Sequence, residues 1–240
     1  MTAGTTPQSP AHAPIQPRRR RRWLRWTIIG VAGSAVLLSA LVAAAIKLQP
    51  TPAPLTLPAT ASTPAGPLDG TYRAVAGSTA GFRIQQRIVG LTSDVVGRTK
   101  DVTGTVTIAD GQATTARLRV GLLALTSGDA KPAPQFGISL DTQRYPDAAI
   151  SLTQSVTLDP AFSSGTTVTA NASGALTLHG IARPVTVAVS LRRDGTNIDV
   201  AGSFPVAFTD YSIARPKGYG AFGSLSDHGV AEFLLILQRP

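Results

Sequence analysis

The chain has no cysteine, one methionine, three histidines and only 13 acidic residues among 240. Without cysteine it has neither a disulfide framework nor a thiolate site. This leaves the compartment open, since a core of adequate size needs no covalent staples. No acidic residue precedes Asp69, whereas Arg18–Arg22 and Arg25 form a basic cluster. From Asp69 onward 15 Lys and Arg face 13 Asp and Glu, a balance of +2. The net charge of +9 therefore describes the N-terminus, and it gives no ground for a nucleic-acid partner. Groups that titrate or attack are as scarce: beyond residue 68 there are two histidines, His179 and His228, and one glutamate, Glu232.

The scarcity constrains chemistry. Ser226, Asp227 and His228 are consecutive, and neighbours on one turn do not converge as a nucleophile–base–acid triad must. They read as a polar turn. His179 reads as a structural hydrogen-bonding residue, because a metal site needs three or four convergent ligands and no spacing supplies them. No catalytic residue, metal site or cofactor is expected. The glycine-rich Lys217–Gly223 lacks the order of a phosphate loop and opens no helix. With Tyr219 and Phe222 it reads equally as a lid over an apolar ligand or as an ordinary surface loop.

Residues 1–25, rich in Pro, Ala, Thr and Gln before the arginines, lack apolar periodicity and are expected to form a disordered, basic cytoplasmic tail. Residues 26–48 contain the uncharged run Thr27–Ile46. Twenty residues at helical rise span about 30 Å, the thickness of a bilayer's hydrocarbon core. Trp23 and Trp26 stand where an interfacial aromatic belt would. Six arginines before the run and only Lys47 directly after it orient a single span with its N-terminus inside. Ala43–Ala45 offers a small-residue cleavage site, so a removed signal peptide is the alternative, although the run exceeds a usual signal core of about 7–15 residues. Either way the remainder is expected outside the cytoplasm. The expected partner at Arg18–Arg25 is the anionic membrane surface. Residues 49–68 form a Pro/Thr/Ala-rich linker, expected to be an extended spacer.

Residues 69–240 read as one all-β domain. Gly174–Arg192 is its clearest stretch, two strands flanking a tight connection at His179-Gly180. Val185, Val187, Val189 and Leu191 alternate with Thr186, Ala188, Ser190 and Arg192, a period of two that separates an apolar face from a more polar one. The preceding strand alternates too, but its set from Val168 through Ala170, Ala172 and Gly174 runs small before Leu176. Small inward residues leave room inside a wall, or follow the taper of a filled core. Other alternating sets are Val102–Ile108, Leu118–Leu122, Ile150 to Leu158 through Leu152 and Val156, and Phe204–Phe208. Turns are expected at Asp110-Gly111, Asp194-Gly195 and Gly202, with a helical turn within Pro132–Leu140. Phe233–Leu237 is apolar on both faces, as suits a strand covered on its outer side. Many short strands without a long amphipathic helix give an antiparallel sandwich or barrel.

Several of these segments together resemble the YceI-like family of exported, lipocalin-like proteins. They are Phe82 in AGFRI, the run VVGRTKDVTGTVTI with Gly97 and Gly104, the pair Tyr145-Pro146, and FTDYSI with Tyr211 and Ile213. The most specific is GALTLHGIARPVTVAV, with Gly174, Leu176, Leu178, His179, Gly180, Pro184 and Val185 at family-like spacing. The family's histidine-containing segment before the tyrosine–proline pair is absent, and that region reads GDAKPAPQFGISLDTQRYP. The resemblance implies an eight-stranded antiparallel barrel with an apolar interior for a polyisoprenoid or quinone-like lipid. Phe82, Ile84, Val106, Ile108, Leu118 and Val120 would then line its first half. Ile150, Leu152, Ala170, Ala172, Gly174, Leu176 and Val187 would line the second, with Tyr219 and Phe222 at the mouth. The alternative is a filled, non-catalytic surface barrel that contacts a partner.

Overall fold

The alternating sets form a closed antiparallel barrel in the computed structural model, which describes residues 52–88, 90–127, 134–214 and 223–240. The expected cytoplasmic tail and the apolar span at 26–48 lie outside the described residues. Among the described residues no helix is long and apolar enough to cross a membrane. Pro50–Pro240 make up one compact unit.

The strands are β1 (Gly70–Ala74), β2 (Thr79–Ile88), β3 (Leu91–Thr99), β4 (Val102–Ala109), β5 (Gln112–Gly121), β6 (Thr126–Ser127) and β7 (Asp147–Leu152). They continue as β8 (Val156–Thr157), β9 (Val168–Leu178), β10 (Ile181–Asp194), β11 (Asn197–Ala207), β12 (Gly223–Leu225) and β13 (His228–Gln238). A seven-residue helix α1 (Pro134–Leu140) lies between β6 and β7. β13 pairs with β2 through Val230–Leu234 and with β1 through Leu237 and Gln238. β1 and β2 are thus two halves of one bent strand, and β3 and β4, which pair with β2 and β1, are halves of the next. Counted this way the barrel has eight strands, each antiparallel to its neighbours.

Each bend is held by a buried hydroxyl. Ser78 Oγ donates to Ile236 O at 3.3 Å and accepts from Ile236 N at 3.0 Å, so one side chain replaces the ladder bonds that the bend interrupts. At the second bend Thr99 Oγ1 accepts from Asp101 N at 3.0 Å.

The two ends differ. The lower end carries the β4–β5 and β10–β11 turns and the β7–β9 connection, and it is plugged. Tyr72, Phe162, Ile198 and Leu237 are each at most 2% exposed there. Phe162 is delivered by a 3-10 turn, Pro160–Ser164, which Asp159 caps by accepting from Ala161 N at 2.8 Å. The upper end carries the β2–β3 hairpin, the His179-Gly180 turn and the long connections before β7 and after β11.

Three expectations change. The Ile150–Leu158 set is not one strand. β7 ends at Leu152, Thr153 N turns to donate to Ser173 O at 2.9 Å, and the later residues lead Leu158 into the lower plug. Gly202 is no turn. It sits within β11 opposite Val189 and Phe233, where a Cβ would come within 2.7 Å of the Phe233 ring.

Nor is the described part of the linker a free spacer. Arg83 donates to Pro52 O at 2.7 Å, Arg98 to Ala53 O, and Arg192 to Pro58 O and Thr60 O at 2.6 and 3.1 Å. Arg193 donates to Ala65 O and Gly66 O, both at 2.8 Å. A proline-rich chain presents carbonyls that no secondary structure consumes, and a row of guanidinium groups takes them. The segment therefore lies as a strap across the outer wall. Beneath it Glu232 is bound by Arg98 at 2.8 Å and approached by Arg83 at 3.7 Å.

Asp199, 1% exposed, has no hydrogen-bond partner on either carboxylate oxygen, and Arg192 Nη2 stands 3.9 Å away. Burial first, then the negative charge of Asp194, pushes its pKa above the ordinary carboxylate value, against the pull of Arg192. A folded-state pKa above the unfolded value means that the ionised group opposes folding at neutral pH. That opposition fades as pH falls through the folded pKa. Asp199→Asn is expected to raise the thermal midpoint at pH 7, with an advantage that shrinks toward pH 4. Melting curves across this range check both sign and slope.

Candidate functional site

The upper half of the barrel encloses a cavity of about 470 Å³, within the usual range of roughly 300–1,000 Å³ for small-molecule sites. A smaller space of about 110 Å³ lies below it. Leu118, Ile150, Phe233 and Leu235 border both and form the floor between them.

Of the residues expected to line the interior, Phe82, Ile84, Val120 and Leu176 line the upper cavity, with Leu118 and Ile150 at its floor. Val106, Ile108, Leu152, Ala172, Gly174 and Val187 line the lower space. Ala170 borders neither and packs against the core. Tyr219 and Phe222 lie outside the described residues.

The sequence reading missed Phe204, Val206, Ala231 and Phe233, all on the upper cavity wall. The first two stood in a recognised alternating set. The last two were hidden because their strand is apolar on both faces, so no period marks the inward side. Phe136 of α1 was also missed. It covers the wall at Phe82 in an edge-on pair with ring centroids 4.9 Å apart. Gly97 makes this possible, since a Cβ there would stand 2.6 Å from the Phe82 ring.

Among the described residues the polar content of the wall is small: Gln86, Ser139 and Glu232. Glu232 belongs to the opposite register from Ala231 and Phe233, and its carboxylate is taken by Arg98 on the outer face. Among the described residues no group of three His, Cys, Asp or Glu could hold a metal ion.

The two histidines have local roles. His179 Nδ1 lies 3.0 Å from Tyr211 O, so it carries the proton and donates. Its ring packs on Tyr145 at 4.5 Å, and Gly180, at φ +75°, leaves no space for a Cβ beside that tyrosine. Tyr145, His179, Gly180 and Tyr211 thereby stitch the β9–β10 turn to both long connections at the rim. His228 is exposed, and Ser226 Oγ and Asp227 Oδ1 both approach its Nδ1, at 3.0 and 2.9 Å. The contact to Nε2 is longer, 3.4 Å. A triad needs acid and hydroxyl on different ring nitrogens, and this turn presents them mainly to one.

An eight-stranded antiparallel barrel, plugged at one end and hollow and apolar toward the other, defines a lipocalin-like architecture. Within that class, residues 72–231 match the YceI-like domain, and the chain belongs to that family. No curated protein matches the sequence. Among solved structures it is similar to a polyisoprenoid binding domain from Saccharophagus degradans implicated in plant cell wall breakdown. That likeness has 18% identity and a TM-score of 0.56, and covers 72% of this chain and all of the other. It is also similar to BcnA of Burkholderia cenocepacia, at 16% identity and TM-score 0.50, covering 67% and 96%. These likenesses establish the fold.

If the upper cavity is the site, filling it must block uptake. Ala231→Phe adds a ring at the wall between Phe82 and Phe204. It is expected to abolish binding of an apolar fluorescent probe, while overpacking costs about 1–3 kcal/mol of stability. Probe titration and denaturant unfolding of the same variant check the two effects.

Proposed function

We propose that this protein is a non-catalytic carrier or sequestering protein for an isoprenoid lipid, held at the outer face of a membrane by its N-terminal span. The observation that carries the reading is the upper cavity, roomy and almost wholly apolar inside a barrel otherwise densely packed. Each CH₂ moved from water into such a space gains about 0.8 kcal/mol. A few branched C5 units then suffice for tight binding without a reactive group. The family, and the polyisoprenoid binding named for the Saccharophagus degradans domain, support an isoprenoid rather than a straight acyl chain. The arginine cluster, the two tryptophans and the uncharged run Thr27–Ile46 support the anchor and the orientation. The filled-barrel alternative suits the lower half only, where Phe162 and Leu237 leave little space.

The full chain, expressed in a bacterial host rich in isoprenoid quinones, is expected to fractionate with membranes. Native mass spectrometry from mild detergent should then show a bound mass matching a polyprenyl compound. A soluble protein with a clean apo mass, taking up nothing from added lipid extract, contradicts the proposal.

A further inference from the structure

One polar group at the cavity wall is incompletely bonded. Gln86 lies in β2 on the same register as Phe82 and Ile84 and lines the cavity two residues before the strand ends at Ile88. Ser93 faces it across the hairpin. Gln86 Nε2 donates to Ser93 Oγ at 3.0 Å, while Gln86 Oε1, shielded from solvent, accepts no hydrogen bond. Folded proteins leave few buried polar atoms in this condition, and a ligand donor is one cause that accounts for them. Ser93 occupies one end of the amide, so the other end is the free valence at the cavity's upper rim.

The charge of the wall restricts what can fill that valence. Among the described residues no Lys, Arg or His lines the cavity, and the one carboxylate among them, Glu232, is engaged by Arg98 and Arg83 on the outer face. Against this described wall a phosphate or diphosphate head would find no counter-charge to offset its desolvation. A neutral head with an O–H donor meets both conditions.

We infer that the cavity selects a neutral, hydroxyl-bearing lipid, a prenyl alcohol or quinol type, whose O–H donates to Gln86 Oε1. The hydrocarbon runs from the rim down to the floor at Leu118 and Ile150. This inference rests on the carrier reading and assigns its headgroup. It also places the head near the mouth, where β12 lies beside β2 and Leu225 pairs with Gln86.

The test uses the full chain in nanodiscs of a saturated phosphatidylcholine, with empty discs as reference and three probes of equal tail: farnesol, farnesyl methyl ether and farnesylacetone. The wild type is expected to bind farnesol about tenfold more tightly than the ether, as a hydrogen bond to an otherwise unsatisfied buried acceptor provides. Gln86→Leu is expected to bring that ratio to about one, with circular dichroism confirming its fold. A wild-type ratio near one overturns the inference and leaves the carrier reading standing. A preference for the ketone also overturns it, since the free amide end would then be a donor. If the wild type binds no probe, the carrier reading falls as well.

Discussion

The barrel depends on one clasp. β13 carries the closure, pairing along its length with β11 on one side and with β2 and β1 in turn on the other. Between those two partners the ladder breaks, and Ser78 fills the gap by bonding both the N–H and the carbonyl of Ile236. Val75 N adds a bond to the same carbonyl at 2.9 Å. Without these bonds two backbone groups of β13 would be buried unpaired, and each such group costs about 1–3 kcal/mol. The bend then divides the barrel: strand halves below it surround the packed plug, and halves above it surround the cavity.

The outer face of β13 explains the strap. A strand with Phe233, Leu235 and Leu237 inward turns Glu232, Leu234 and Ile236 to its outer side, where all three are buried or half-buried. The segment from Pro52 covers part of this face, held through its main-chain groups: carbonyls that accept from Arg83 and Arg98, and Leu55 N, which donates to Glu232 at 3.4 Å. Sequence-independent bonds of this kind tolerate almost any extended chain. The strap gives part of the wall a second layer.

Much of this was legible in the sequence. Val185–Leu191 and Val102–Ile108 announced strands by strict alternation, and Asp110-Gly111 and His179-Gly180 announced their turns. The strap was not legible, because a Pro/Thr/Ala run looks the same whether it is free or docked; its partners, Arg83, Arg98 and Arg192, are distant surface-type residues. The free valence of Gln86 was hidden as well. The period of two from Phe82 and Ile84 turns the residue inward, but only the pairing with Ser93 reveals that its amide nitrogen is taken and its oxygen is not. Whether the interior is hollow depends on which side chains meet across it. Alternation names the inward set of each strand but not its partner on the opposite wall.

The central claim is that the upper half, and not the lower, receives an apolar ligand. Methyl-resolved NMR of the full chain in isoprenoid-free nanodiscs, titrated with farnesol, addresses it most directly. Shifts confined to Ile84, Leu118, Leu176 and Leu225, with Ile198 and Leu237 unmoved, are predicted. Shifts confined to outward-facing methyls such as those of Leu234, or no saturable shift at all, would contradict the account.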